Sequence, residues 1–315
     1  MKRRVQIRVP HDLAGKTVLK AVAGRFTYHS PDQWIERLGE NRVHVNGHPA
    51  TAGTVLSAGD LLEYHADDLP EPPVRTEIEV LHDDAEILVV NKPANLPSHP
   101  AGRYFNHTLW AILKTRFGIE KPTLVNRLDR ETSGIILIAK TPDAAIKCRA
   151  QFAGRLVQKR YLVLVEGYFP DTLYANGFLT PDPDSLVCKK RKFALLSGNE
   201  TPPPDGEPAE TVFHRRRHAN KISEVEAIPH TGRMHQIRAT LHSLGFPVVG
   251  DKLYGPDPNI FLRFCTDALT ESDRVLLRID RQALHASGLT FTHPRTGTQF
   301  DIVSPIPPEL DQLLS

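Results

Sequence analysis

Short runs of β-branched and aliphatic residues recur from residue 77 onward, at 77–81, 87–91, 134–139, 159–167, 222–229 and 283–290. Runs of this length and composition predict strands, some of them buried on both faces. Apolar residues at helical spacing predict helices over 108–117, 142–153 and 235–244. Strands outnumber the helices between them, so a parallel βαβ layering is disfavoured. An α+β fold with a large mixed or antiparallel sheet and helices at its sides is expected.

Ahead of these runs the pattern changes. Trp34-Ile35-Glu36-Arg37-Leu38 predicts a short helix. Arg42-Val43-His44-Val45 predicts a strand ending at an Asn46-Gly47 turn, and Leu61-Leu62-Glu63-Tyr64 a further strand after Gly59-Asp60. Residues 67–75 are acidic and proline-rich, as a linker is. The division expected is a small domain over 1–68, a linker over 69–75 and a large domain over 76–315. Residues 194–210, with Pro202-Pro203-Pro204, read as a surface insertion between strands.

A length of 315 residues suits about two domains, and a 40% hydrophobic content supports a sizeable core. No apolar run approaches the roughly 18 residues needed to span a membrane. Met1-Lys2-Arg3-Arg4 has no apolar segment after it and is not read as a secretory signal. Cys148, Cys188 and Cys265 are widely spaced, which suits free thiols in a cytoplasm, and no Cys-x-x-Cys pair offers a zinc site. His230, His235 and His242 lack a completing carboxylate, so no metal is expected. The net charge is only +2, but Lys189-Lys190-Arg191-Lys192 and Arg215-Arg216-Arg217 concentrate positive charge. Each run is either a phosphate-binding patch or a solvated loop.

The densest chemistry lies in Asn126-Arg127-Leu128-Asp129-Arg130-Glu131-Thr132-Ser133-Gly134, which leads into the apolar run Ile135-Ile136-Leu137-Ile138-Ala139. A carboxylate between two arginines, on a loop before a buried strand, is both exposed and fixed. The arginines favour its ionised form. The string resembles the central motif of the RluA-type pseudouridine synthases, in which the aspartate is the catalytic nucleophile. Asn126 stands where that family usually has histidine, which leaves the role of this side chain open.

Further blocks resemble the same family in the same order. They are Glu86–Pro100, Lys159–Gly167 around Tyr161, His230–Arg238, Gly250–Gly255, and Leu284-His285-Ala286 with His293-Pro294. The resemblance implies an isomerase that converts uridine in ribosomal or transfer RNA to pseudouridine, without organic cofactor or obligatory protein partner. The rival reading is a non-catalytic RNA-binding protein on the same scaffold. Asp129 would act as a nucleophile on the sugar or as a base at its 2′ carbon, and both need the ionised form. Arg238 would pair with Asp129, and Tyr161 would stack on the uracil and help remove the carbon 5 proton. Arg127 would fill the space of the flipped uridine, its alternative being a charge pair with Asp129. Arg130, Lys92, His107 and Arg233 complete the expected RNA-contacting set. The first segment is similar to the small RNA-binding domain named after the fourth small-subunit ribosomal protein.

Overall fold

The computed structural model describes residues 3–26, 29–67, 69–196 and 203–315. Asp68, at the expected domain boundary, and Pro202, in the expected insertion, lie outside the described residues, as do Met1 and Lys2. The chain forms two compact units. One is Met1–Pro73 with His99–Ile112, and the other is Val74–Ser98 with Leu113–Ser315.

The first unit contains β1 (Arg4–Arg8), α1 (Val18–Arg25), α2 (Pro31–Gly39), β2 (Val43–Val45), β3 (His48–Pro49) and β4 (Leu61–His65). Its strands form an antiparallel sheet in the order β1-β4-β2-β3. Helix α2 starts at a capping box in which Ser30 and Gln33 satisfy each other's backbone N–H groups, with Pro31 in the first turn. Trp34 and Tyr64 are buried and meet edge-on with ring centroids 4.8 Å apart. Asn46 and Gly47 take φ of 51° and 82°, as the anticipated tight turn requires.

Two expectations about this region need correction. The segment 69–75 is not a bare linker, and residues 99–112 do not group with the large domain. The Glu71 carboxylate accepts the backbone N–H groups of Phe105, Asn106 and His107 at 2.7–2.8 Å. Burial pushes its pKa up, but these amide donors outweigh burial and hold it below the usual carboxylate range. The Arg3 guanidinium adds a bond to the Gly102 carbonyl at 2.6 Å. Proline and acidic residues suggested a free tether, yet the carboxylate is the anchor of a loop more than thirty residues away.

The second unit carries β5 (Glu79–Asp83) and β6 (Ile87–Lys92), then, beyond α3 (Leu109–Thr115), in which the unit boundary falls, β7 (Thr123–Leu124), β8 (Ser133–Ala139), α4 (Pro142–Ala153) and β9 (Gln158–Glu166). There follow β10 (Thr172–Pro181), β11 (Arg191–Leu195), β12 (Glu207–Ala219), β13 (Ile222–Pro229), α5 (Gln236–Ser243), α6 (Ile260–Cys265), α7 (Glu271–Leu277), β14 (Leu284–Thr292), β15 (Gln299–Val303) and α8 (Pro308–Asp311). One sheet runs β11-β10-β12-β13-β9-β14-β8-β6-β5, with β7 beside β8 and β15 beside β14. Only the β8–β14 pair is parallel among the described strands, so the sheet is mixed and largely antiparallel. Every residue of β8 is buried, which is why it reads as an unbroken apolar run. No helix among the described residues is long and apolar enough to cross a membrane.

The expected strands at 77–81 and 283–290 lie one or two residues later, and the helix at 142–153 is found as expected. Residues 194–210 are not simply an insertion, because β11 extends to Leu195 and β12 begins at Glu207.

Gly134 explains one fixed element of the central motif. Its φ is +115°, and a Cβ there would lie 2.3 Å from the Ala286 carbonyl oxygen and 2.5 Å from the Ala286 nitrogen. This is where β8 meets β14 in parallel, Ala286 facing Gly134. Gly134→Ala is therefore expected to cost about 3 kcal/mol or more in chemical denaturation. An unchanged midpoint would contradict this close approach.

Candidate active site

Asp129 lies on the loop between β7 and β8, and the loop is fixed on both sides of it. Before it, the Asn126 amide donates to the Ile135 carbonyl at 3.1 Å and accepts the Leu137 N–H at 2.8 Å. One neutral side chain thus satisfies two backbone groups of β8, which gives the position where the family usually has histidine a structural task. Ser98 Oγ donates to the Leu128 carbonyl at 2.8 Å and accepts the Leu128 N–H. After Asp129, the Arg130 carbonyl accepts the Leu96 N–H at 3.1 Å, and Thr132 N–H closes back on the Asp129 carbonyl.

Arg238, on α5, reaches this loop. Its Nη1 donates to Asp129 Oδ2 at 2.8 Å, while Nε and Nη2 grip the two oxygens of Asp251 at 2.6 and 2.9 Å. Asp251 is fully buried and also accepts the N–H groups of Leu253 and Tyr254. The Tyr254 ring lies under the guanidinium, 5.0 Å from its centre. Burial pushes the Asp129 carboxyl up, but the Arg238 charge and its hydrogen bond outweigh that and hold it below the usual range. Its side chain keeps 39% exposure. The carboxylate is thus ionised, oriented and still accessible.

It faces a cavity of about 320 Å³, whose walls include Arg127, Asp129, Lys159, Tyr161, Arg233, His235 and Arg238. Tyr161 projects from β9. Burial and the neighbouring Asp129 charge push its phenol up to about 12. Gln236 ties the wall together. Its carbonyl oxygen accepts from Thr231 Oγ1 and Arg233 N–H, and its amide donates to Thr211 Oγ1 and the Glu210 carbonyl.

A family described as RNA pseudouridylate synthase matches residues 86–243, which contain Asp129, Tyr161, Arg238 and most of the cavity wall. The chain is 32% identical over 259 residues to a ribosomal large subunit pseudouridine synthase D of Zymomonas mobilis, covering 78% of this chain and 75% of that protein. The chain belongs to the RluA-type RNA pseudouridine synthase family. A mitochondrial tRNA pseudouridine(32) synthase of Saccharomyces cerevisiae is 37% identical over 228 residues. That match covers 71% of this chain but only about half, 47%, of the yeast protein's length. In structure the chain is similar to human RNA pseudouridylate synthase domain containing 1, with a TM-score of 0.59 and 26% identity over 78% of this chain and 91% of that one.

Against this family frame, the expected site residues separate. Asp129, Tyr161, Arg238, Arg127 and Arg233 share one cavity. Arg127 is exposed and makes no hydrogen bond or ion pair with the described residues, so its alternative as a partner of Asp129 is not what the structure shows. Arg233 donates to the Pro208 carbonyl at 3.1 Å from the rim. Arg130 pairs with Glu131 at 3.0 Å and lies over the Phe264 ring.

Lys92 corrects the expectation of an RNA contact. It is fully buried, and its ammonium donates to the carbonyls of Pro93 and Leu96 at 2.8 Å. An ammonium spent on backbone carbonyls inside the protein cannot meet a phosphate. Burial pushes its pKa down to about 7. His107 sits in the first unit, with Nδ1 bonded to the Pro72 carbonyl, and is not part of this cavity. Of the basic runs, Arg215 pairs with Asp171, Arg216 with Glu226, and Arg217 with Glu224 and Asp311. Lys190 pairs with Asp182, whereas Lys189 and Lys192 are exposed and make no such pair among the described residues. Asp251 and Tyr254 were assigned no role from sequence. Their block was legible, but a buried aspartate three positions before a tyrosine carries no sign of which cation it serves.

The clamp makes two expected outcomes measurable. Arg238→Lys replaces a three-point fork by one compact charge and leaves a buried carboxylate short of partners. A loss of about 3–5 kcal/mol is expected in chemical denaturation; stability equal to wild type would show that the fork carries no weight. The Asp129 pKa is depressed, so its ion-pair stabilisation is complete above the ordinary carboxylate range and lost only as pH falls through the depressed value. The acid limb of single-turnover activity should accordingly lie below the ordinary carboxylate range in wild type and move upward in Arg238→Lys.

Proposed function

We propose that this chain isomerises specific uridines of a structured RNA to pseudouridine, with Asp129 as the reacting carboxylate, Tyr161 at the uracil and Arg238 holding the carboxylate charged. The observation that carries the reading is the accessible, ionised Asp129 held at the wall of a base-sized cavity. In the reaction the N1–C1′ bond breaks with its electron pair on the uracil, the uracil turns, C5 joins C1′, the C5 proton leaves and N1 takes up a proton, so that the product is an isomer of the substrate. Asp129 serves either as the nucleophile at the sugar or as the base at its 2′ carbon, and both routes use the geometry described.

To act directly as a base, Tyr161 would need a neighbouring cation to lower its phenol from the ordinary value of about 10. Burial and the anionic Asp129 work in the opposite direction. With a pKa of about 12, roughly one phenol in 10⁵ is ionised at pH 7. Its ring therefore supports the uracil, and its hydroxyl passes a proton on without being a standing base. Arg127, unpaired and exposed at the same cavity, suits the space left by a flipped base. Transfer and ribosomal RNA are the substrate classes named in the yeast and Zymomonas relatives. The first unit is read as the RNA-binding module, acting without an obligatory protein partner. A cytoplasmic setting fits the free thiols of Cys148, Cys188 and Cys265.

Asp129→Asn keeps size and loses charge. It should abolish pseudouridine formation on transcribed, unmodified ribosomal and transfer RNAs while leaving affinity within a few fold. Retained single-turnover activity within about tenfold of wild type would overturn the assignment. Absence of activity in the wild type on every such RNA would favour a non-catalytic binder.

RNA affinity should fall with salt, and the two basic runs should differ. Neutralising exposed Lys189 and Lys192 should flatten the slope of log affinity against log salt by up to about 1.4, at about 0.7 per phosphate contact. Neutralising Arg215, Arg216 and Arg217 should barely change it, because carboxylates already hold those guanidiniums. The reverse pattern would place the RNA on the β12 face.

A further inference from the structure

His235 lines the cavity and has no part in the chemistry described so far. It precedes α5 in a left-handed backbone conformation, φ 57° and ψ 18°. Its Nδ1 lies 3.1 Å from the Tyr254 hydroxyl. Tyr254 is fully buried, and that hydroxyl already accepts the Arg191 N–H at 2.9 Å. Among the described residues the hydroxyl has no other hydrogen-bond partner. Its own proton is therefore directed to Nδ1, which leaves the imidazole proton on Nε2. Nε2 itself has no hydrogen-bond partner among the described residues.

We infer that the His235 Nε2–H is a donor to a carbonyl oxygen of the target uracil and thereby helps select and stabilise the departing base. The inference rests on the proposed function. When the N1–C1′ bond breaks, its electron pair stays with the uracil, and the negative charge spreads onto O2 and O4. A fixed N–H at one of those oxygens then binds the transition state more strongly than the intact nucleoside.

The geometry of the turn adds a second advantage. Rotation of uracil about the axis through N3 and C6 exchanges N1 with C5 and, in the same motion, O2 with O4. A stationary donor that serves one oxygen before the turn meets the other after it. Burial, then the Arg238 charge, push the His235 imidazole down to about 4. It therefore stays neutral at neutral pH and does not compete with Arg238 for Asp129.

The test uses the full chain under single-turnover conditions at saturating enzyme, with transcribed ribosomal and transfer RNAs as probes. His235→Ala should slow the reaction about 10²-fold, with RNA affinity within about threefold. His235→Gln, whose amide places an N–H near the Nε2 position, should recover most of the loss. Transcripts made with 2-thiouridine or with 4-thiouridine carry a weaker acceptor at one oxygen. Each should slow the wild type about tenfold and should slow His235→Ala no further.

A His235→Ala rate within threefold of wild type would overturn the inference. So would equal thio effects in the two proteins, since a purely structural histidine would leave them unchanged. Failure of the proposed function looks different, because the wild type itself would then form no pseudouridine on any of these RNAs.

Discussion

Arg238 divides its donors between two carboxylates, one buried and one exposed to the cavity. The buried partner, Asp251, fixes the guanidinium from behind, with the backbone amides of Leu253 and Tyr254 donating to its Oδ1. The exposed partner, Asp129, takes the donor that is left. Asp251 contributes no reacting atom. Its effect is to turn a flexible side chain into a rigid electrostatic wall, which holds the Asp129 carboxylate charged and oriented at the cavity. Removing one member of such a set leaves an uncompensated charge inside the protein, which is far costlier than losing a surface pair.

How much of this was visible beforehand depended on where each signal lies. Strand β8 was legible because both its faces are buried and its sequence is continuously apolar. Strands β10 and β12 were not, because each keeps an exposed face whose Asn, Thr, Glu, His and Arg residues dilute the pattern. Strand β12 even holds the Arg215–Arg217 run, which looked like a phosphate patch. Its partners Asp171 and Asp311 lie 44 and 94 residues away, and Glu224 and Glu226 face it across the hairpin from β13, so the pairing is made by the sheet and not by sequence neighbours.

The site shows the same division. Asp129, Tyr161 and Arg238 were anticipated from motifs, and the structure brings them to one cavity. The motifs did not separate residues that face substrate from residues that hold them. Lys92 was expected among the RNA-contacting residues from the family resemblance of its block. Its burial against the carbonyls of Pro93 and Leu96 makes it a brace beneath the loop. His235 drew attention in the sequence only within a histidine group for which no metal was expected, and its bond to the Tyr254 hydroxyl at the cavity wall left no local trace.

The brace on the Asp129 loop has a consequence for how the site comes into being. Its parts arrive from Lys92 to Ser98, from Asn126 to Leu137, and, through Arg238, from Asp251. The Ser98–Leu128 and Arg238–Asp129 bonds span 30 and 109 residues, and pairings so separated are slow to form, since each closes a long loop before it is rewarded. A locally ordered fragment around Asp129 therefore lacks the Arg238 contact that fixes the carboxylate. Asp129 meets Arg238, and through it Asp251, only after the segment carrying both has emerged and docked.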